Sequence, residues 1–164
     1  MGSGRDVLIL LRAPGKEQAR GAGDNGSVSI AEKASFAAVA SDDRCPCLSG
    51  ETYGACCRPF HVGDALAPTA ERLMRSRYSA YVVGDAAYLT ATWHPRTAPA
   101  ELELDPAQRW FRLDVLATTA GGMLDTEGTV EFVARYRLGG QAGQQHELST
   151  FIRSGRRWLY VDAA

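Results

Sequence analysis

Four cysteines, Cys45, Cys47, Cys56 and Cys57, fall within thirteen consecutive residues and are the only cysteines of the chain. The stretch that carries them, Arg44 to about His61, also holds Pro46, Gly50, Gly54 and Pro59. This is the composition of a loop, and a loop with so little apolar content must be held by something other than a core. The spacing is C-x-C-x8-C-C, two pairs joined by a turn for which Ser49 and Gly50 are suited. Two such pairs can converge on one tetrahedral ion, because structural zinc takes four sulfur or nitrogen ligands and needs no open position. Free thiols or strained disulfides are the bland alternative. A redox site is another, but the C-x-x-C spacing that thiol exchange favours is absent. Arg44 and Arg58 flank the outer ligands and could offset the formal −2 that four thiolates leave on zinc. His61 follows a complete ligand set and is read as a loop residue.

The remainder of the 164 residues, 45% of them hydrophobic, is ordinary for one soluble domain with a short appendage. A formal charge of −1, from 18 basic and 19 acidic residues, gives none of the basic excess that phosphate-backbone binding uses. No nucleic-acid signature is therefore expected. The longest apolar run near the start, Val7 to Leu11, is well short of the ~20 residues of a membrane span or the ~7 to 15 of a signal segment. The expectation is a cytoplasmic protein with no membrane partner, in a compartment where cysteines stay reduced and available to metal.

Three zones follow. Residues 1–42 mix Gly, Ser, Ala and Lys without a sustained period and are expected to form a flexible extension, with a marginal short helix over Ile30–Ala40. Residues 43–61 form the metal-binding segment. From residue 66 to 164 the pattern is that of an α+β domain. Pro68 and Thr69 open a helix that runs through Leu73, Met74, Tyr78, Tyr81 and Val82 to a stop at Gly84. Asp85 caps a second helix near Ala86–Trp93, which ends before His94-Pro95. Alternating segments then predict strands near Glu101–Leu104, Arg109–Thr118, Thr129–Arg137, Gln145–Arg153 and Arg157–Asp162. Glycine-bearing links at Gly139–Gly143 and Ser154–Arg156 make the last three antiparallel neighbours. Helices first and strands after argue α+β, with N-terminal helices packed on an antiparallel sheet.

The segment Cys45-Pro-Cys-Leu-Ser-Gly-Glu-Thr-Tyr-Gly-Ala-Cys-Cys57 resembles the SEC-C zinc-binding motif, first known at the C-terminus of the bacterial preprotein translocase motor. Together with Pro59-Phe-His61, Ala67-Pro-Thr69, Leu73 to Tyr81, Thr92-Trp-His-Pro95, Gly128 to Phe132 and Trp158-Leu-Tyr160, it resembles the YchJ family of uncharacterised bacterial proteins. The resemblance runs from Cys45 to the C-terminus. It implies that Cys45, Cys47, Cys56 and Cys57 bind one zinc ion, and that the rest folds like nuclear transport factor 2, a curved sheet wrapped around helices. Three positions depart from the motif: Leu48, where glycine is usual, and Glu51 and Arg58, where lysine and glycine are common.

A cone of that shape can enclose a pocket, so the strand faces matter. On the strand near Thr129–Arg137, Val130, Phe132, Ala134 and Tyr136 alternate toward the core and Glu131 points outward. On the next strand, His146 shares parity with Leu148, Thr150 and Ile152, which makes His146 the leading pocket candidate, with Tyr81 and Asp162 as further polar groups. Arg75 and Arg77 read as charged helix surface. No phosphate loop, nucleophile elbow or H-E-x-x-H helix is present in the sequence. Two functional readings follow. The first is a non-enzymatic adaptor whose zinc knob meets a protein or ribonucleoprotein partner. The second is a small-molecule binder or enzyme built on the pocket around His146.

Overall fold

A computed structural model describes residues 34–164 of the chain. Among the described residues, three helices, α1 (Arg58–His61), α2 (Ala70–Val83) and α3 (Ala86–Ala91), precede four strands, β1 (Arg109–Ala120), β2 (Glu127–Leu138), β3 (Gln141–Ser154) and β4 (Arg157–Ala163). The strands form one antiparallel meander in the order β1-β2-β3-β4. Register shifts in β1 at Trp110/Arg112 and Val115/Ala117, and in the β3–β4 pair opposite Thr150/Phe151, where β4 skips Val161, are the irregularities that bend such a sheet.

Helix α2 has the ends that its sequence calls for. The Thr69 side chain accepts from the Arg72 amide at 3.1 Å, and Gly84 closes the helix in the left-handed region at φ 77°. Its burial is unusual: Leu73, Met74, Ser76, Arg77, Tyr78, Ser79, Ala80 and Tyr81 are all buried, more than one face can provide. The helix is central, with the cysteine loop against one side and the sheet against the other. Asp85 caps α3 by accepting from the Tyr88 amide at 2.9 Å, as the sequence predicts.

The sheet supplies the opposite wall of the core. Val130, Phe132 and Ala134 of β2, Phe151 of β3, and Trp158 and Tyr160 of β4 are buried in one cluster with Leu73, Met74, Tyr78 and the four cysteines. Ala70 donates to the Gly121 carbonyl at 2.9 Å, tying the start of α2 to the β1–β2 turn.

Three expectations differ from this architecture. The strand over Glu101–Leu104 does not form; that stretch is irregular chain, and Leu102 and Leu104 pack beside Tyr81 and Leu89 instead. Residues 34–40 are not helical. They run along the end of α2, where Ala37 donates to the Val82 carbonyl and the Phe36 ring lies over Gly84. The rest of the expected helix, and the remainder of the expected flexible extension, lies outside the described residues. Finally, β3 presents the opposite face from the one expected. Gln145, Ser149 and Phe151 are buried, and Phe132 pairs with Glu147, while His146 and Leu148 point outward. The aliphatic Leu148 and Ile152 suggest one parity, but strand pairing with β2 dictates the other.

Candidate metal centre

The loop from Asp43 to Cys57 is drawn together by its own backbone. Cys45 donates to the Glu51 carbonyl at 2.9 Å and Leu48 to the Cys45 carbonyl at 3.0 Å, and Tyr53 reaches back to Asp43 at 2.8 Å. Leu48 sits in the left-handed region at φ 59° and Gly50 at φ 93°. The position where the motif usually has glycine is thus one whose backbone favours glycine. The turn brings all four sulfurs inward: Cys45, Cys47, Cys56 and Cys57 are buried, with their sulfurs all within 4.8 Å of one another.

The distances fit a metal and exclude disulfides. The sulfurs of Cys47 and Cys56 are 3.6 Å apart, and those of Cys56 and Cys57 3.8 Å. A disulfide requires about 2.05 Å. A tetrahedron with zinc–sulfur bonds of about 2.3 Å has edges of about 3.8 Å. As thiols alone the cluster shares protons unevenly. Contact with Cys47 pushes Cys45 up to about 11, while hydrogen bonds from Cys45 and Cys57 hold Cys47 far below the usual thiol range. A dication would let every sulfur ionise.

Helix α2 supplies the surroundings of these ligands. Arg72 Nη1 donates to Cys56 Sγ at 3.5 Å and Nη2 to the Cys56 carbonyl at 3.4 Å, while Arg75 Nη1 donates to the Cys47 carbonyl at 3.1 Å. Ser79 Oγ lies 3.7 Å from Cys45 Sγ, and Ser49 Oγ 3.2 Å from Cys56 Sγ. Arg72 and Arg75, on the helix, thus bring two guanidinium groups to the cysteine loop, Arg72 onto a sulfur and Arg75 onto the Cys47 carbonyl. Sequence proximity could not show this; only the packing of α2 on the loop does.

His61 is no ligand, and neither is it a free loop residue. Its Nδ1 accepts from the Tyr53 hydroxyl at 2.7 Å and its Nε2 donates to the Ser76 carbonyl at 2.8 Å, with its ring against Tyr88. These partners fix the neutral tautomer, and burial pushes its pKa down. Next to it, Phe60, His61, Leu66, Leu73, Tyr88 and Trp158 line a cleft of about 320 Å³ between α1, with the segment that follows it, and the facing parts of α2, α3 and β4.

The other predicted site residues do not come together. His146 stands on the outer face, its side chain 56% exposed and its Nε2 2.7 Å from Glu131 Oε1. Asp162 is exposed on the β4 edge strand. Tyr81 alone faces the interior. There it is accompanied by a residue read from sequence as surface: Arg77 is 3% exposed. A signal for it existed, since Arg77 lies four residues from both Leu73 and Tyr81 and so sits in the middle of the apolar stripe.

Comparison with known proteins agrees with this anatomy. Residues 69–163 match the model described as "YchJ, middle NTF2-like domain", and residues 43–59 match the SEC-C motif. The chain belongs to the YchJ-like family. A UPF0225 protein of Streptomyces coelicolor is 54% identical over 118 residues, covering 72% of this chain and 92% of the relative. One from Ralstonia nicotianae is 54% identical over 130 residues, covering 72% and 88%. The solution structure of a SEC-C motif containing protein from Rhodopseudomonas palustris superposes with a TM-score of 0.64 at 34% identity, over 73% of this chain and 96% of that one. A crystal structure of a sec-c motif containing protein from Psychrobacter arcticus gives 0.61 at 30% identity, over 74% and 82%. The YchJ-like chain thus combines a nuclear transport factor 2-like α+β domain with a SEC-C segment whose four cysteines are grouped as a metal would require.

Proposed function

We propose that this protein is a non-enzymatic interaction module in which Cys45, Cys47, Cys56 and Cys57 hold one structural zinc ion, and the knob so fixed docks a protein or ribonucleoprotein partner. One observation carries the metal half: four buried sulfurs lie within 4.8 Å of one another, two of their separations, 3.6 and 3.8 Å, match the edge of a zinc tetrahedron, and arginine and serine side chains are directed at them. Four protein ligands leave the ion no position for substrate or water, so its role is to hold shape.

The docking half is supported by what the shape displays. Leu48, 54% exposed, sits next to Cys47 in a backbone conformation that costs a leucine about 1 to 2 kcal/mol relative to glycine. A large apolar side chain held outward at such a cost is what a contact surface would retain.

Two variants separate the halves. Cys45→Ser with Cys56→Ser, assayed by mass spectrometry under native conditions, should lose the zinc; undiminished metal would overturn the ligand assignment. Leu48→Ser should keep the zinc but lose the partner captured by the zinc-loaded chain. Identical capture by wild type, Leu48→Ser and metal-free protein would sink the docking role. Reading the same domain as a pocket centred on His146 is not favoured, because that side chain faces solvent.

A further inference from the structure

The cleft beside α1 has a volume of about 320 Å³. Sites for small molecules span about 300 to 1,000 Å³, so it has room for a compact ligand and for little more. Its lining runs from core to surface: Leu73 and Trp158 are buried, whereas Leu66 is 43% exposed. Three of the lining residues, Phe60, Tyr88 and Trp158, are aromatic, and they come from α1, α3 and β4.

The polar side chains of the wall are already engaged within the protein. His61 bonds Tyr53 and Ser76 through its two ring nitrogens, and Tyr88 Oη lies 2.7 Å from Ser76 Oγ. Trp158 Nε1 donates to the Pro68 carbonyl at 3.2 Å, and Thr92 Oγ1 donates to the Tyr88 carbonyl at 2.8 Å. Water in a cleft needs two to four polar partners, and these side chains are spent on one another. The wall therefore favours an occupant whose body is apolar, and aromatic walls favour a ring, since aromatic pairs add about 0.5 to 1.5 kcal/mol beyond the area they bury.

Two charged residues complete the lining, Asp85 and Arg157. They differ in what already holds them. Asp85 is the cap of α3 and accepts from the Tyr88 amide at 2.9 Å, so its carboxylate is used by the fold. Arg157 is exposed at the first position of β4, and among the described residues no carboxylate lies within ion-pair distance of it. The charge left for an occupant is thus positive. A guanidinium presents parallel N–H groups that match the two oxygens of a carboxylate, and one arginine balances one negative charge.

We propose that this cleft binds a small aromatic monocarboxylate, its ring against the apolar wall and its carboxylate on Arg157. The site is separate from any partner held by the cysteine loop, and it places a pocket function at α1, α3 and β4 rather than around His146.

The probe is 3-phenylpropanoate, titrated into the full chain and followed in nitrogen–proton correlation spectra at the Trp158 indole and the Leu66 and Ala87 amides. Its neutral amide and 2-phenylethylammonium are the controls of similar size. A ligand this small binds with Kd in the region of about 1 mM. Saturable movement of these signals with the acid is expected, with the amide about fivefold weaker and the ammonium weaker still. Arg157→Gln, at an exposed position, should keep the thermal midpoint and bring the acid down to the affinity of the amide. Ala91→Leu, which adds bulk to the lining from α3, should abolish binding of both. No saturable movement with any probe would overturn the site, as would undiminished binding in Ala91→Leu. Equal affinity for acid and amide, tighter binding of the ammonium, or an acid affinity unchanged in Arg157→Gln would overturn the ligand class.

Discussion

At the scale of single residues, Leu48 and His61 carry opposite lessons. Leu48 adopts φ 59°, where a side chain is strained and glycine is not, yet it is exposed and buries little in return. Leu48→Gly removes the strain but adds backbone freedom to the unfolded chain, so it should stabilise by about 0.5 to 1 kcal/mol, read as a higher urea midpoint. A loss of stability would show that the leucine is packed, not displayed. His61 is held neutral by Tyr53 and Ser76, with a pKa depressed by burial. Below the ordinary histidine value of about 6.5 the unfolded chain binds a proton that the folded one refuses. Stability from this residue is therefore complete above that value and is lost as pH falls through the lower folded pKa. The urea midpoint of zinc-loaded protein should drop between pH 7.5 and 5.5 more in wild type than in His61→Gln; parallel profiles would remove His61 as the cause. The grouping of the four cysteines was legible in the sequence because they are already close along the chain, and the fold brings their sulfurs within 4.8 Å of one another. Arg77 was not, because a charged residue is read as surface unless its helical neighbours are weighed first.

At the scale of elements, the same contrast separates helices from strands. Caps are local, so Thr69, Gly84 and Asp85 announced the ends of α2 and α3, and the structure places them there. Which face of β3 turns inward is not local. It follows from β2 through the turn at Gly139 and Gly140, both at positive φ as a tight two-residue hairpin requires. That turn sets even-numbered residues of β2 opposite odd-numbered residues of β3, so the buried Phe132 and Ala134 commit Glu147 and Gln145 to the same face. A hairpin link drawn over all of Gly139–Gly143 leaves the register open, and the parity of His146 with Leu148 and Ile152 then makes it seem internal. The consequence is testable on the outer face, where His146 and Glu131 form an exposed pair. Surface pairs contribute little, so His146→Ala should change stability by less than about 0.5 kcal/mol. A loss above about 2 kcal/mol would mean that the imidazole is buried after all. Gly128 makes the contrary case. A methyl group there would come within 2.4 Å of the Gly121 backbone, which holds the start of α2 through the Ala70 amide. Gly128→Ala should cost at least about 2 kcal/mol by the same denaturation measurement, since backbone cannot step aside as a flexible side chain does.

At the scale of the molecule, the question is whether the knob is an appendage or part of the fold. An appendage would melt on metal removal and leave the domain unchanged. The arrangement argues otherwise: the four cysteines share one buried cluster with Leu73, Met74, Phe132 and Trp158, and Arg72, Arg75 and Ser79 tie them to the central helix. Cys57 leads directly into α1, whose Phe60 and His61 form one wall of the cleft that Trp158 closes from β4. Without metal, the sulfurs of Cys45 and Cys47 compete for protons in a buried space, and the loop has no core of its own to fall back on. Loss of the ion should therefore propagate through α1 and α2 into the domain. Stripping zinc with a strong chelator is expected to lower the thermal midpoint of the whole chain by roughly 10 °C, on the order of 3 kcal/mol at 3 °C or so per kcal/mol for a domain of this size. Trp158 fluorescence should change in the same transition, because its environment includes Phe60. If the tryptophan signal and midpoint stay fixed while the metal leaves, knob and domain are separable, and the cleft beside α1 owes nothing to zinc.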